Sequence, residues 1–336
     1  MAYPKEITDR AFEILAERRN QARNDYQYRQ QVIARDVPAV EALRRELTGT
    51  SASIARAILS GTDVEEKLRR LRESNLYMQQ RKRELLAAAG LPEQYDELTY
   101  SCPDCSDTGY TPDGKQCHCL KALLAELMLE RLSRTANTDQ ITFDSFSLDY
   151  YPVEKLGGPD LSPREIMQQA YDQCRLYARQ FAPDARSLFF QGPTGLGKTH
   201  LSLAIASEVI RRGYNVLYTP AQTLLDTLER ERFRRGEENF SLDFVLDCDL
   251  LILDDLGSEF STSFSVATIY NIINSRLIEK KPTIISSNLT VKEIEARYSP
   301  RVLSRIMGGY SVIPFRGSDI RMRKKQGLPR DCKKES

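Results

Sequence analysis

In positions 136–328, stretches with the hydrophobic pattern of strands alternate with stretches that have the pattern of helices. Short, almost wholly apolar runs recur five times, and stretches with helical spacing lie between them. A strand that is covered on both faces has a continuous apolar run, so this alternation predicts a parallel sheet with helices on both sides, an α/β fold. The predicted strands are residues 187–191, 215–219, 250–253, 283–287 and 311–315, and a predicted helix over 163–181 precedes the first.

The first hundred residues have a different pattern. Residues 8–90 are rich in Arg, Glu, Gln, Leu and Ala with helical spacing, and Gly90 with Pro92 predicts where the helices end. Polar Asn75 and Lys82 interrupt the apolar seam, which is therefore thin for a long coiled coil. A small helical bundle, or a helical arm that packs on a partner, is favoured. The seam itself is a stripe spaced by sevens, at Val64, Leu71, Met78 and Leu85.

Cysteines cluster between these two regions. Cys102 and Cys105 have the C-x-x-C spacing of a zinc knuckle, and Cys117-His118-Cys119 follows after a glycine-containing stretch. These residues predict a structural zinc site, with His118 as a possible replacement for one of the last two thiolates. A redox dithiol at the first pair is the competing interpretation, although no thioredoxin-like strand leads into it. A helix is predicted over 120–132.

These patterns divide the chain. We expect a helical region at 1–98, a zinc-binding segment with a linker helix at 99–135, an α/β domain at 136–328 and a tail at 329–336.

Charge and composition change this picture little. Lys plus Arg number 48 against 47 for Asp plus Glu, so the whole chain is not a polycation and nucleic-acid contact would need a local patch. The first residues lack the apolar core of a signal peptide, and no apolar run is long enough to span a membrane. We therefore expect a cytoplasmic protein with no membrane partner.

Residues 192–199 supply the first chemistry. GPTGLGKT fits the G-x-x-x-x-G-K-[ST] P-loop pattern between a predicted strand and a predicted helix, which is the context that the motif requires. Backbone N–H groups of such a loop cradle phosphates, Lys198 reaches the outer phosphates, and Thr199 can ligate Mg²⁺. The predicted nucleotide-binding residues are Gly192, Pro193, Thr194, Gly195, Leu196, Gly197, Lys198, Thr199 and His200.

The third predicted strand leads into two carboxylates. Asp254 is placed to hold Mg²⁺, and Asp255 to orient or deprotonate an attacking water, as in a Walker B element. Asn288 follows the fourth strand, where an amide can contact that water or the terminal phosphate. Arg301 and Arg305 lie four apart on one helix face, from which an arginine can reach a neighbouring subunit's triphosphate, and Arg321 is a possible second phosphate sensor.

Together these motifs resemble a known family. GPTGLGKTH, LLILDDLG, TIISSN and SRIMGG…SDIR are similar to the AAA+ ATPase domain of bacterial replicative helicase loaders of the DnaC/DnaI type, which are related to the transposition helper IstB. The cysteine motifs resemble the zinc segment before that domain in DnaI-like members. The resemblance covers roughly residues 100–323 and places Arg305 at the arginine-finger position and Arg321 at the second-sensor position. Asp255 stands where many AAA+ members have glutamate.

The resemblance implies an ATP hydrolase that is stimulated by a partner or by DNA, and the shorter side chain of Asp255 predicts slow hydrolysis. It implies ATP, Mg²⁺ and Zn²⁺ as cofactors, a hexameric replicative helicase bound through the N-terminal region, delivery of that helicase to single-stranded DNA, and self-association with ATP bound. Three alternatives remain: an IstB-like transposition or phage helper on double-stranded DNA, a metabolic P-loop kinase, and a non-enzymatic zinc adaptor. A kinase would leave the zinc segment and the helical arm without a purpose.

Overall fold

The computed structural model describes residues 3–48, 64–136, 141–154, 161–233 and 240–325. Contacts divide the chain into two compact units, one of residues 12–120 and one of residues 1–11 with 121–336. The predicted tail at 329–336 lies outside the described residues. The predicted boundaries after 98 and 135 stay predictions.

The unit of residues 12–120 is helical at its start. It contains most of α1 (Lys5–Asp36), a helical stretch α2 (38–48) and α3 (Val64–Ala88). Ile33, Val37, Val40 and Leu86 pack into a small apolar core. Gly90 follows α3 with φ +71°, a left-handed conformation that glycine adopts without strain, and it accounts for the predicted helix end. Leu71, Met78 and Leu85 are only partly buried, which fits a thin seam.

The other unit is built around a parallel sheet. Its five strands are β1 (Ser187–Gln191), β2 (Val216–Pro220), β3 (Leu250–Leu256), β4 (Thr283–Ser287) and β5 (Tyr310–Pro314), in the order β2-β3-β4-β1-β5. Each neighbouring pair is parallel; Leu188 lies beside both Ile284 of β4 and Ser311 of β5. The predicted α/β class with a parallel sheet is confirmed.

Helices connect the strands and cover both faces of the sheet. One apolar cluster on each face contains side chains from the strands, for example Phe190 and Ile252 on one face and Phe189 and Leu253 on the other. Both faces of each central strand are therefore buried, which explains the continuous apolar runs. The helices are α4 (His118–Ala136), α5 (Pro163–Gln180), α6 (Lys198–Arg211), α7 (Ala221–Phe233), α8 (Phe240–Asp247), α9 (Ser263–Ile278), α10 (Val291–Tyr298), α11 (Pro300–Gly309) and α12 (Ile320–Lys325).

The third strand differs from its prediction. β3 runs to Leu256 instead of ending at residue 253, so both acids lie within the strand. Its pairing with β4 shifts between Leu253 and Leu256, where the strand has an irregularity. An irregular strand end re-aims side chains, and this one positions the two carboxylates at the edge of the sheet. The second and fifth strands are each shifted by one residue from the predicted bounds.

A fully buried arginine joins two helices beside the sheet. Arg276 of α9 has 0% exposure, and its guanidinium donates to the backbone oxygens of Val245, Leu246 and Cys248 at 2.9–3.0 Å. These oxygens lie at and just beyond the C-terminal end of α8, where helix carbonyls are unpaired and carry partial negative charge. It also donates to Pro282 O at 2.7 Å. The guanidinium therefore replaces the missing hydrogen-bond donors at this helix end.

Replacing Arg276 with methionine should lower the free energy of unfolding by about 3 kcal/mol, since several buried carbonyls lose their donor. Urea unfolding followed by circular dichroism measures this. Arg179→Met, at an exposed position, is the control and should change the free energy of unfolding by less than about 0.5 kcal/mol. Equal stability of the two variants would contradict the capping role.

Within the described residues, none of the helices has the length and apolar character needed to cross a bilayer.

Candidate functional site

The P-loop connects the C-terminal end of β1 to α6. A side chain at Gly192 would collide with the backbone oxygen of Phe315, because its Cβ would lie 2.3 Å from that atom. Gly197 caps α6 with φ +83°, and a Cβ there would lie 2.7 Å from the Phe146 ring. Glycine is therefore required at both positions by close packing and, at Gly197, also by backbone conformation. The loop ends at a helix N-terminus, where N–H groups point toward a bound anion.

Lys198 folds over this loop. Its Nζ donates to the backbone oxygens of Gly192 at 2.6 Å and Pro193 at 2.7 Å, and the side chain is 7% exposed. Burial lowers the pKa of Lys198, while the nearby carboxylates of Asp255 and Asp254 oppose this effect. A buried ammonium group that is held only by carbonyls gains strongly from an anion. Lys198 is thus placed to bind phosphate.

Asp254 is the most connected side chain of the site. It accepts hydrogen bonds from Thr199 Oγ1 at 2.8 Å, from the Tyr218 hydroxyl at 2.9 Å and from Ser286 Oγ at 2.5 Å. β2, β3 and β4 are neighbours, so their carboxyl ends bring Tyr218, Asp254 and Ser286 together. The two residues predicted to hold Mg²⁺, Thr199 and Asp254, are in direct contact. Tyr218 and Ser286 were missed because each is an ordinary strand residue in the sequence.

Asp255 has an unusual backbone. Its φ is +56°, in the left-handed region, and its N–H donates to Ser286 Oγ at 2.8 Å. Aspartate tolerates this region better than longer side chains, because its short polar side chain clashes less and can bond locally. Strained backbone of this kind is concentrated at functional sites.

A cleft of about 500 Å³ contains these groups. Its lining combines the P-loop and the two acids with apolar and aromatic side chains, including Phe146 and Tyr150. His200 packs edge-on against Phe146, with ring centroids 5.3 Å apart, and its Nε2 lies 3.0 Å from Thr142 O. A lining of both polar and apolar groups suits a nucleotide. The predicted residues that line the cleft are Thr194, Gly195, Leu196, Gly197, Lys198, Thr199, His200, Asp254, Asp255 and Arg321.

Of the predicted nucleotide-binding residues, Gly192 and Pro193 do not line the cleft, and two of the predicted catalytic residues lie away from it. Asn288 is exposed after β4 and does not line the cleft, and Arg305 is exposed on α11, also outside it. Arg321, in contrast, lies at the cleft at the start of α12 and is close enough for its charge to lower the pKa of Lys198. The structure therefore brings Arg321 to the phosphate end and leaves Arg305 on the surface.

The comparisons with known proteins agree with this geometry. Residues 164–327 match the family of IstB-like ATP binding proteins, and that range contains the P-loop, both acids and Arg321. This part of the chain has an AAA+ P-loop fold and is similar to the IstB-like proteins, and residues 164–327 are called the IstB-like domain. The resemblance to DnaC/DnaI-type loaders that the motifs indicated is confirmed.

Two curated relatives and one solved structure illustrate the likeness. The replicative helicase loader DnaC of Escherichia coli strain K12 is 27% identical over 195 residues, which cover 57% of this chain and 76% of DnaC. The phage-like element PBSX protein XkdC of Bacillus subtilis strain 168 is 26% identical over 226 residues, 61% of this chain and 77% of XkdC. A crystal structure of the DnaC helicase loader aligns with a TM-score of 0.44 at 24% identity, over 52% of this chain and 98% of that one.

Outside the IstB-like domain, the four clustered cysteines converge. Their Sγ atoms all lie within 4.8 Å of one another; the Sγ atoms of Cys102 and Cys117 are 3.6 Å apart, and those of Cys105 and Cys119 are 3.3 Å apart. A tetrahedral zinc site has Sγ atoms about 3.8 Å apart, from Zn–S bonds of about 2.3 Å. Four thiolates at these separations fit one zinc ion.

The surrounding backbone shapes the cluster. Asp107 is fully buried and accepts the N–H groups of Ser101 and Cys102, each at 2.9 Å. A bridge between Tyr110 and Gln116 returns the chain to the second pair of thiols. The His118 side chain is 70% exposed, and its Nδ1 lies 3.3 Å from Asp104. The three buried thiols together with that of Cys119 therefore make a better ligand set than one that includes His118.

Proposed function

We propose that this protein is an ATP-dependent loader that binds the replicative DNA helicase and delivers it to single-stranded DNA. The observation that carries the proposal is the similarity to DnaC over 76% of that protein, in a chain whose P-loop and Walker B side chains meet in one cleft. Fold similarity alone would support a nucleotide-binding domain of any function. The extension to the helicase and to DNA therefore rests on the curated relative.

The cleft residues have distinct roles in ATP hydrolysis. Lys198 and the loop N–H groups would hold the outer phosphates, and Thr199 with Asp254 would hold Mg²⁺, which would supply positive charge beside the phosphates. Asp255 orients and deprotonates the attacking water. Arg321 adds a second cation at the phosphate end. Their arrangement around one nucleotide supports an ATPase.

Arg305 completes the site of a neighbouring molecule in this proposal. It is exposed on α11, while Val302 and Ile306 of the same helix are buried, so its guanidinium is available to a partner. An arginine supplied in trans can accelerate phosphoryl transfer by about 10³–10⁵. Hydrolysis would then require self-association, so the isolated chain should turn over ATP slowly. Asn288 is also exposed and could act only after movement or from across such an interface.

The helical N-terminal region is the proposed helicase-binding part. On α3, Leu76 is 59% exposed and Tyr77 is 70% exposed, and on α1 Tyr28 is 66% exposed. Large apolar side chains in water are typical of contact surfaces.

A different side chain is proposed to contact DNA. In the IstB-like domain, Phe260 is 82% exposed in the loop that follows the Walker B strand, where an aromatic ring can stack on a base of single-stranded DNA.

A pull-down from purified components tests the helicase partner. Full-length protein should retain the host's replicative helicase in the presence of ADP or a non-hydrolysable ATP analogue, and Leu76→Ser with Tyr77→Ser should weaken retention by about tenfold or more. Leu176→Ser, at a 54% exposed position in the IstB-like domain, is the control. No retention by the wild type under any nucleotide condition would contradict helicase binding.

We also propose that Cys102, Cys105, Cys117 and Cys119 hold a structural zinc ion. Purified protein should contain about one zinc ion per chain. Cys102→Ser should abolish zinc binding, whereas Cys174→Ser, at a buried cysteine outside the cluster, and His118→Ala should retain it. Mass spectrometry of the metal content measures this. Loss of zinc from His118→Ala would show that the histidine is a ligand, and wild-type protein free of zinc after purification without chelators would contradict the site.

A second candidate is a transposition or phage helper that acts on double-stranded DNA. The family match to IstB-like proteins and the similarity to XkdC favour it. It shares the same ATPase site and differs only in partner. Stronger stimulation of ATP hydrolysis by double-stranded than by single-stranded DNA, without helicase retention, would support this candidate over the loader.

A further inference from the structure

A buried glutamate follows the Walker B strand. Glu259 is only 2% exposed and lies four residues after Asp255. Glutamate is almost never buried without partners, because removing an unpaired carboxylate from water is very unfavourable. The proposed ATPase chemistry does not use this side chain. Its burial therefore points to another role close to the ATP cleft.

The partners of Glu259 come from two directions. On its own loop, the N–H of Gly257 donates to Oε2 at 2.9 Å. On α10, the hydroxyl of Tyr298 donates to Oε1, and Arg297 has its Nε 3.6 Å from the same oxygen. The Arg297 guanidinium also donates to the backbone oxygen of Glu259. One carboxylate thus ties the Walker B loop to the end of a helix.

Tyr298, the hydrogen-bond donor to Glu259, is held in place by the core. It is 1% exposed in the core on that face of the sheet. Burial, reinforced by the carboxylate of Glu259, raises the pKa of Tyr298. The hydroxyl therefore stays protonated and donates at any physiological pH. A charge-assisted hydrogen bond of this kind is stronger than one between neutral groups.

The opposite side of the loop is also packed. Gly257 has φ +108°, and a Cβ there would lie 2.5 Å from Leu289 Cδ1, so the loop lies against the segment that follows β4. Ser258 donates from its N–H to Asp255 O at 3.2 Å and from Oγ to the same oxygen at 2.8 Å. Hydrogen bonds therefore join Asp255 to Ser258, and the next residue along the chain, Glu259, is hydrogen-bonded to Tyr298.

A sharp turn separates Tyr298 from the helix that carries Arg305. Ser299 has φ +99°, which is uncommon for a residue with a side chain, and Pro300 begins α11 directly after it. A single residue connects the two helices, so the orientation of the last turn of α10 sets the direction in which α11 begins. The exposed guanidinium of Arg305 follows that direction.

We propose that Glu259 is a positioning residue that holds α10 against the Walker B loop and thereby sets how α11 presents Arg305 to the triphosphate of a neighbouring molecule. The inference rests on the proposed function, since it requires Arg305 to act in trans. Glu259 then supports ATP hydrolysis in the cleft of the neighbouring molecule and not in the cleft of its own chain.

A mixing experiment separates the two sites. Arg305→Ala molecules keep an intact ATP cleft but lack the finger, and Lys198→Ala molecules lack ATP binding but supply the finger. Their mixture should hydrolyse ATP faster than either alone. Glu259→Gln or Tyr298→Phe is then placed only in the Lys198→Ala molecule, where the cleft of the same chain is already inactive. Glu295→Gln, at an exposed position on α10, is the matched control.

With Glu259→Gln or Tyr298→Phe in the finger donor, the rate of the mixture should fall about tenfold or more, because small misplacements of a transition-state group are costly. Glu295→Gln should leave the rate unchanged, and thermal unfolding should show that all donors are folded. If both variants are folded and the rate of the mixture is unchanged, Glu259 does not position Arg305. That result would leave the action of Arg305 in trans intact. If the Arg305→Ala and Lys198→Ala mixture itself gains no activity, the finger in trans fails and the inference fails with it.

Discussion

Replacing Lys198 with alanine should weaken ATP binding by about 100-fold or more. The ammonium group is buried and bonded only to two loop carbonyls, and the loss of a charge-assisted contact to phosphate costs about 3 kcal/mol, or two factors of ten. Titration with a fluorescent ATP analogue measures the dissociation constant. Because Lys198 has no carboxylate hydrogen-bond partner in the described structure, the fold should tolerate the change.

The control is Lys292→Ala, at an exposed position on α10, which should bind ATP as the wild type does. Circular dichroism should show that both variants are folded. ATP binding by Lys198→Ala within about threefold of the wild type would contradict the placement of the phosphates at this loop, since even a single charged hydrogen bond contributes more.

Asp255→Asn should leave ATP binding within about threefold of the wild type and reduce hydrolysis by about 10²–10⁴, the range expected when a general base is lost. Asparagine tolerates the left-handed backbone of this position almost as well as aspartate, so the change removes the charge and keeps the conformation. Phosphate release under conditions of maximal partner stimulation measures the rate.

Asp184→Asn, at an exposed position before β1, is the control for that substitution and should hydrolyse ATP normally. Asp255→Glu is informative as well, because a longer side chain fits the left-handed backbone less well. A rate for Asp255→Asn equal to that of the wild type would mean that another group activates the water.

The fold was largely predictable because its strands are buried on both faces. The bounds of 187–191 and 283–287 agree with β1 and β4, since each run ends at a sharp change from apolar to polar or turn residues. The length of β3 was underestimated because Asp254 and Asp255 look like the end of a strand. In the structure Asp254 accepts a hydrogen bond from Ser286 Oγ and the N–H of Asp255 donates one to it, and these bonds hold both acids at the irregular end of the strand. Local hydrophobicity cannot show a contact between residues about thirty positions apart.

The site was predictable only where chemistry and spacing coincide. The P-loop and the two acids form a motif, and the structure places them in one cleft. Tyr218, Arg276 and Glu259 carry no such signal, because an isolated tyrosine, arginine or glutamate is usually a solvated surface residue. Their importance comes from burial, which depends on how α7, α8, α9 and α10 pack around the sheet. Residues that act through packing are recognised in the folded structure and not in sequence motifs.

We propose that this protein uses ATP to deliver the replicative helicase to single-stranded DNA. Helicase unwinding of a forked duplex, whose single-stranded arm is coated with single-strand-binding protein, measures delivery directly. Wild-type protein with ATP should start unwinding that helicase alone cannot start, Lys198→Ala should not, and Lys292→Ala should match the wild type. Unwinding that is no faster with wild-type protein than with helicase alone, although the two proteins bind each other, would contradict the account.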